Sequence, residues 1–397
     1  MNGFLDSIKE GIKEFEEIVE ETIEEVVEKI EDTIISIFEP SLDDCTVDDH
    51  QATGIIFTNI ESEPVIINIT PSNSTDGIIS EISSVEVLSE PLEPIKNEKL
   101  YVVTCISNPE NYKSRYRLYN DFKKYMLKHD NVILITVELA IGDQEFAVTS
   151  NDDSNNIQLR CDQVLWHKEN LLNIGIAKCP VGSKVAWIDA DVSFANPNWV
   201  DETLVALNTN DVVQMFGESM DLDPKHHNMG SRLGFVAGYK KNKYTQVGKY
   251  DNPYFGATGY AWAANKSFLD STGGLIDWCL VGSADWHLAY AWISLGVESV
   301  GNWASDNYKK ELKYYQDMCG NVKLGYVNGL LLHYFHGKKE FRYYNSRWNI
   351  LKDNNFDPIE DLYNNEDGLI MVKSSKPKLL EGIKDYIKSR KEDSTEV

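Results

Sequence analysis

The chain has 397 residues, 42% of them hydrophobic and 11% aromatic, enough for one large or two medium domains with a sizeable core. Its net charge of −25 belongs mainly to one end: residues 1–98 hold 25 Asp/Glu against 4 Lys, whereas the rest carries 38 acidic residues against 34 basic ones. Neither part offers the basic stripe that binds nucleic acid or an anionic membrane, so no nucleic-acid partner is expected.

Residues 1–40 read as an acidic amphipathic helix. Leu5, Ile8, Ile12, Phe15 and Val19 follow 3-4 spacing, Val26, Ile30, Ile34 and Ile37 continue it, and Pro40 ends it. Such a helix either docks on a protein partner, or on a second copy, or folds back on its own chain. Residues 41–98 read as an acidic linker or small β region. Gly54–Ile60 and Pro64–Ile69 could be strands, and Pro64, Pro71, Pro91 and Pro94 are expected to interrupt any long element. The six cysteines (45, 105, 161, 179, 279 and 319) are scattered with no CxxC pair, which suits reduced thiols. No apolar run approaches the roughly 18 residues of a transmembrane span, and no signal peptide is evident. The expected setting is the cytoplasm, or a host's cytoplasm should the source be a virus.

From residue 99 strands and helices alternate. Lys99–Ile106, Val132–Val137, Val185–Ile188 and Val212–Phe216 read as buried strands. Tyr112 to about Lys128, 166–178 and Trp199–Leu207 read as helices. This succession predicts an α/β fold with a mostly parallel sheet covered on both faces, and ligands beyond the carboxyl ends of its strands. Ser107-Asn108-Pro109 and Asp189-Ala190-Asp191 both follow such ends. Within a strand Asp189 and Asp191 would face one side and repel unless a cation lay between them. A Mg²⁺ or Mn²⁺ there could bridge a diphosphate.

Four further segments surround that pair in sequence. Lys168, opening the helix before it, could offset phosphate charge. In Tyr254–Asn265 small residues alternate with aromatics, as either a packed strand or a platform where Trp262 meets a sugar. Asp285, before Trp286 and an apolar helix, is either a helix cap or a base for an acceptor hydroxyl. His333 and His336, followed by Gly337-Lys338-Lys339, are either structural or complete a metal shell with a phosphate-binding lysine.

Together these segments resemble the GT-A glycosyltransferases, in particular the inverting β-1,4-galactosyltransferases and the related galactosyltransferase-like and polypeptide N-acetylgalactosaminyltransferase proteins. Asn170-Leu-Leu-Asn173-Ile-Gly175 precedes the Asp-x-Asp as a similar helix does there. Phe255-Gly256, Gly282-Ser-Ala-Asp285 and His333-x-x-His336 then follow in the family's order. The resemblance implies a GT-A (Rossmann-like) nucleotide-diphospho-sugar transferase domain over 99–356, leaving 357–397 as a tail with a short helix. It implies Asp191, His333 and His336 as ligands of Mn²⁺ or Mg²⁺, and Asp285 as the catalytic base. Ser107, Asn108, Arg115, Lys168, Asp189 and Lys338 would bind a nucleotide-sugar donor, UDP-linked by preference. Trp262 and Trp286 would bind the acceptor, which could be a glycan, protein or lipid. Ala284 and Val281 depart from the family's Glu and Trp, so acceptor identity does not carry over, and His333 in place of the family's Met would harden the metal site. A sugar-nucleotide nucleotidyltransferase, which would need a Gly-rich basic loop after the first strand, and a non-catalytic scaffold are the alternatives.

Overall fold

A computed structural model describes residues 98–241 and 255–394, together with the backbone of three strands between residues 54 and 87. The chain divides into two units, Met1–Pro91 and Leu92–Val397. The helix expected over residues 1–40 lies outside the described residues, as does Tyr254.

In the first unit, strands β1 (Gly54–Ile60), β2 (Glu63–Ser74) and β3 (Gly77–Val87) form an antiparallel meander with β2 in the middle. This is more regular than a proline-broken linker, because Pro64 and Pro71 lie inside β2 rather than ending it. Pro64 pairs only with β1, through Asn59, and Pro71 only with β3, through Ser80. Each proline thus occupies a position with one neighbouring strand, where a missing N–H is tolerated.

The second unit begins with the anticipated alternation: β4 (Leu100–Ser107), α1 (Lys113–Met126), β5 (Val132–Ile141), β6 (Asn156–Cys161), α2 (Lys168–Ala177) and β7 (Lys184–Ile188). Next come β8 (Val192–Phe194), α3 (Trp199–Ala206), β9 (Val212–Gln214), β10 (Glu218–Leu222), β11 (Asn228–Leu233) and α4 (Phe235–Lys240). The remainder is β12 (Ala261–Asn265), α5 (Lys266–Ser271), α6 (Ala284–Trp292), α7 (Asp306–Cys319), β13 (Leu324–Tyr326), β14 (Leu330–His333), α8 (Trp348–Asp353), β15 (Leu362–Asn364), β16 (Ile370–Val372) and α9 (Pro377–Ser389).

Seven strands form the central sheet in the order β13-β9-β12-β7-β4-β5-β6, and β12 alone runs against the others. This is the Rossmann-like α/β arrangement expected. Alternate residues leave each strand for opposite faces. Val185 and Trp187 of β7 join the core under α2, α6 and α7, while Ala186 and Ile188 join the one under α1 and α3. Burial on both faces explains why the strands read as unbroken apolar runs rather than alternating ones.

A second, four-stranded sheet in the order β11-β10-β14-β8 was not legible beforehand. Its strands are short and two of them are partly polar. The segment 357–397 is no detached tail: Leu379, Ile383, Tyr386 and Ile387 of α9 are buried in the main core.

Helix α2 lies so close to the sheet that a Cβ on Gly175 would come within 2.5 Å of Val103 Cγ1 and 3.0 Å of Val137 Cγ2. Gly175→Ala should therefore destabilise this unit by roughly 1–2 kcal/mol, overpacking outweighing the gain in helix propensity. Urea unfolding followed by tryptophan fluorescence measures this, since all nine Trp lie between residues 166 and 348.

Candidate active site

Strand β7 stops at Ile188, so Asp189 and Asp191 occupy the turn to β8 rather than one face of a strand. Their side chains part company. Asp189 Oδ1 lies 2.5 Å from Lys168 Nζ, at the start of α2. Asp191 Oδ2 lies 2.8 Å from His336 Nε2 and 3.8 Å from His333 Nε2. The expectation of one cation between the two carboxylates is thus corrected: each has its own positive or metal-binding partners. Their titration differs accordingly. Burial raises the Asp189 pKa and Lys168 only partly offsets it, whereas Asp191 is held well below the carboxylate range because His336, His333 and Arg342 outweigh its burial.

The second sheet builds the surroundings of Asp191. In its register Asp221 of β10 pairs with His333 of β14, and His333 pairs with Val192 of β8. His333 Nδ1 sits 2.7 Å from Asp221 Oδ1, and His336 Nδ1 lies 3.5 Å from Glu392 Oε2. A carboxylate on the far nitrogen fixes an imidazole tautomer, leaving Nε2 as a lone-pair ligand. Arg342 Nη2 donates to His336 Nε2 at 2.8 Å, which requires that same lone pair. Burial also lowers the His333 pKa more than Asp221 raises it, which favours the neutral ring.

One carboxylate and two imidazoles therefore bring ligand atoms within 4.8 Å of one another. His336 Nε2 has an acceptor and a donor both at 2.8 Å, which a single ring nitrogen cannot serve together. Asp191 Oδ1 is buried without a hydrogen-bond partner. A divalent cation would relieve both defects with Arg342 turned aside, and two imidazoles with one carboxylate are a donor set that first-row transition ions take and that the oxygen-seeking Mg²⁺ does not favour.

These groups open onto a cavity of about 710 Å³ beyond the carboxyl ends of β4 and β7. Its wall also carries Ser107, Arg115, Lys168, Asp285 and Trp286. Asp285 is in the first turn of α6, behind Gly282 and Ser283, both at positive φ (82° and 76°). A Cβ at Gly282 would press on the Trp166 ring at 3.1 Å, so glycine suits both the conformation and the space. The N-cap residue, Ser283, makes no side-chain cap hydrogen bond, and the Asp285 side chain accepts from Thr258 Oγ1 at 3.0 Å. Trp286 anchors its indole N–H on Ser299 O at 3.0 Å.

Four expected site residues take other roles. Trp262 is a core residue, 2% exposed, packed on Trp292 with its N–H on Thr258 O, so it is no acceptor platform. Asn108 closes the turn after β4 by bonding both the N–H and the carbonyl of Tyr112. Lys338 does not line the cavity, and its neighbour Lys339 pairs with Asp221. Arg115 reaches the cavity, but its charge is committed to Glu392 through bonds of 2.5 and 2.8 Å.

Sequence reasoning missed Asp221, Glu392, Arg342 and Arg347. The last two lie in a run of basic and aromatic residues, Phe341-Arg-Tyr-Tyr-Asn-Ser-Arg347-Trp348, which was the available signal. The two carboxylates carry no local signal at all.

No family model and no curated protein matches the chain. Among solved structures it is similar to S. aureus TarS 1-349, at 9% identity over 72% of this chain and 71% of that one, with a TM-score of 0.35. It is also similar to a putative nucleotide-diphospho-sugar transferase of Desulfovibrio desulfuricans G20, at 10% identity, 74% and 98% coverage and a TM-score of 0.26. A third is the 4-diphosphocytidyl-2C-methyl-D-erythritol synthase of Anaerococcus prevotii, at 10% identity, 59% and 90% coverage and a TM-score of 0.25. These likenesses are distant.

Two predictions follow from the geometry. Glu392→Gln, which weakens the support of His336, should lower Mn²⁺ affinity by about tenfold or more in a calorimetric titration. Glu169, 5% exposed in the cavity wall, has its carboxyl pushed by burial from 4.5 up to about 7. Its raised folded value means a stability contribution that is full below about pH 4.5 and lost as pH rises through 7. Glu169→Gln should abolish that loss, so the variant gains on the wild type by up to about 3 kcal/mol between pH 4.5 and 8 in urea unfolding.

Proposed function

We propose that the chain is a metal-dependent glycosyltransferase of the GT-A type. It moves a sugar from a nucleotide-diphosphate sugar to an acceptor hydroxyl with inversion. The observation that carries this reading is one cavity whose wall holds both the Asp191, His333, His336 cluster and, separately, Asp285. A lone metal site or a lone carboxylate would say little; together they supply the two functions of inverting transfer, neutralisation of the leaving diphosphate and a base for the acceptor hydroxyl.

A divalent cation held by Asp191, His333 and His336 supplies the charge neutralisation that a departing nucleoside diphosphate requires. Asp285 takes the proton from the acceptor hydroxyl as its oxygen attacks the anomeric carbon. The bond from that carbon to the diphosphate oxygen breaks on the opposite side, and the pair of electrons leaves with the diphosphate. A single in-line displacement of this kind inverts the anomeric configuration. Asp285 keeps its orientation through Thr258, and Trp286, in the wall of the same cavity, is assigned to the acceptor sugar.

Lys168 is placed near the donor. Burial alone would lower its pKa, but Asp189, Glu169 and Asp285 hold the ammonium above its ordinary value, so it remains a cation. Asp189, bound to Lys168, faces the same cavity and is assigned to the donor ribose or sugar. UDP is the expected carrier.

A screen of nucleotide sugars with Mn²⁺, reading released nucleoside diphosphate, tests the proposal. Asp285→Asn should lower transfer by about 10²–10⁴-fold while leaving donor affinity within a few-fold, as the loss of a general base does. Asp191→Asn or chelation should abolish turnover, with recovery on adding Mn²⁺ after chelation only. Full activity in both variants would defeat the mechanism, and nucleotidyl transfer in place of sugar transfer would replace the reading.

A further inference from the structure

Five arginines line the cavity, Arg115, Arg232, Arg342, Arg347 and Arg390. Arg115 and Arg390 share the single carboxylate of Glu392. Arg342 donates to His336 Nε2 and so belongs to the metal side. Arg232 pairs with Asp221 at 2.8 Å, and Arg347 differs from all four. It is only 7% exposed, its Nη1 donates to the Tyr386 hydroxyl at 3.1 Å, and its Nη2 donates to Ser283 Oγ. Its Nε is buried with no hydrogen-bond partner. Among the described residues no carboxylate pairs with it.

Removing a guanidinium from water without a counter-charge is costly, and hydroxyl partners do not replace that charge. The Tyr386 phenol registers the excess: burial alone would raise its pKa, yet Arg347 and Arg390 hold it below the ordinary value. We propose that Arg347 is an anion subsite on the acceptor side of the cavity, taking a carboxylate or phosphate carried by the acceptor.

Two observations place the subsite with the acceptor rather than with the donor diphosphate. Ser283, to which Arg347 is bonded, stands two residues before Asp285 in the loop that delivers that carboxylate. The guanidinium also lies against the rings of Tyr344 and Trp348, at 5.0 and 5.9 Å from their centres. Tyr344, 48% exposed and lining the cavity, leaves ring surface beside this planar bidentate donor, which suits a pyranose whose ring stacks there while its oxyanion meets the guanidinium. A uronic acid or a sugar phosphate has this chemistry. The assignment to the acceptor rests on Asp285 being the base; the anion subsite itself does not.

The test uses the full chain with Mn²⁺ and pyrophosphate, which fills the diphosphate position whatever the nucleobase. Calorimetry then follows binding of p-nitrophenyl β-D-glucuronide, p-nitrophenyl β-D-glucoside and glucose 6-phosphate. A charged probe should bind alongside pyrophosphate and at least about tenfold tighter than the glucoside. Preference for the glucuronide or for the phosphate tells carboxylate from phosphate. Arg347→Met should erase the preference, and Arg347→Lys should keep part of it. Should the Met variant fail to fold, the wild-type comparison and the Lys variant decide. Equal affinity for charged and neutral probes, no binding of any charged probe, or displacement of pyrophosphate by the charged probe would overturn the proposal. Failure of pyrophosphate to bind while the charged probe still binds through Arg347 would instead remove the donor reading and leave the subsite standing.

Discussion

The register of the small second sheet is the constraint on which the site depends. Strand β14 is paired on both sides, with Asp221 opposite His333 on one flank and Val192 opposite His333 on the other. A one-residue slip would turn His333 to the other face of the sheet and separate it from Asp191 and Asp221 together. The pairing is supported at the next residue, where the Tyr334 N–H donates to the Asp191 carbonyl at 2.9 Å. Backbone pairing, rather than any single side-chain contact, therefore sets where the proposed metal ligands stand.

Around that frame, three acids each have distinct positively charged or imidazole partners. Asp189 goes to Lys168, Asp221 to His333 with Lys339 and Arg232, and Glu392 to Arg115 and Arg390. The end of the described chain takes part directly. Asp393 accepts from the N–H groups of Lys113 and Ser114 at the start of α1, while Glu392 lies behind His336. Gly337 permits this approach, since a Cβ there would come within 3.0 Å of Glu392 Cα and 3.1 Å of the Lys391 carbonyl. The residues that support His336 thus lie more than fifty positions beyond it in the sequence.

This distance explains what the sequence disclosed and what it hid. The central sheet was legible because strands buried on both faces leave continuous apolar runs, as in Leu100–Ser107 and Lys184–Ile188. Asp191, His333 and His336 stood out because short fixed spacings, Asp-x-Asp and His-x-x-His, place them at strand ends. Asp221 and Glu392 had no spacing to betray them; their roles come from sheet register and from the docking of α9. Trp262 and Asn108 were misassigned for the opposite reason. Their residue types suit sugar and nucleotide contacts, but burial and a local turn decide their roles. Arg115 has the charge expected of a phosphate ligand, and a carboxylate remote in sequence takes it.

The central claim is that Asp191, His333 and His336 hold one divalent cation at the mouth of the proposed donor site. Anomalous diffraction from crystals soaked in Mn²⁺ tests it most directly. The account predicts one strong peak within bonding distance of Asp191 and both Nε2 atoms, with the Arg342 guanidinium moved off His336. A peak bound by Asp189 without the histidines, or no peak with Arg342 still seated on His336, would contradict it.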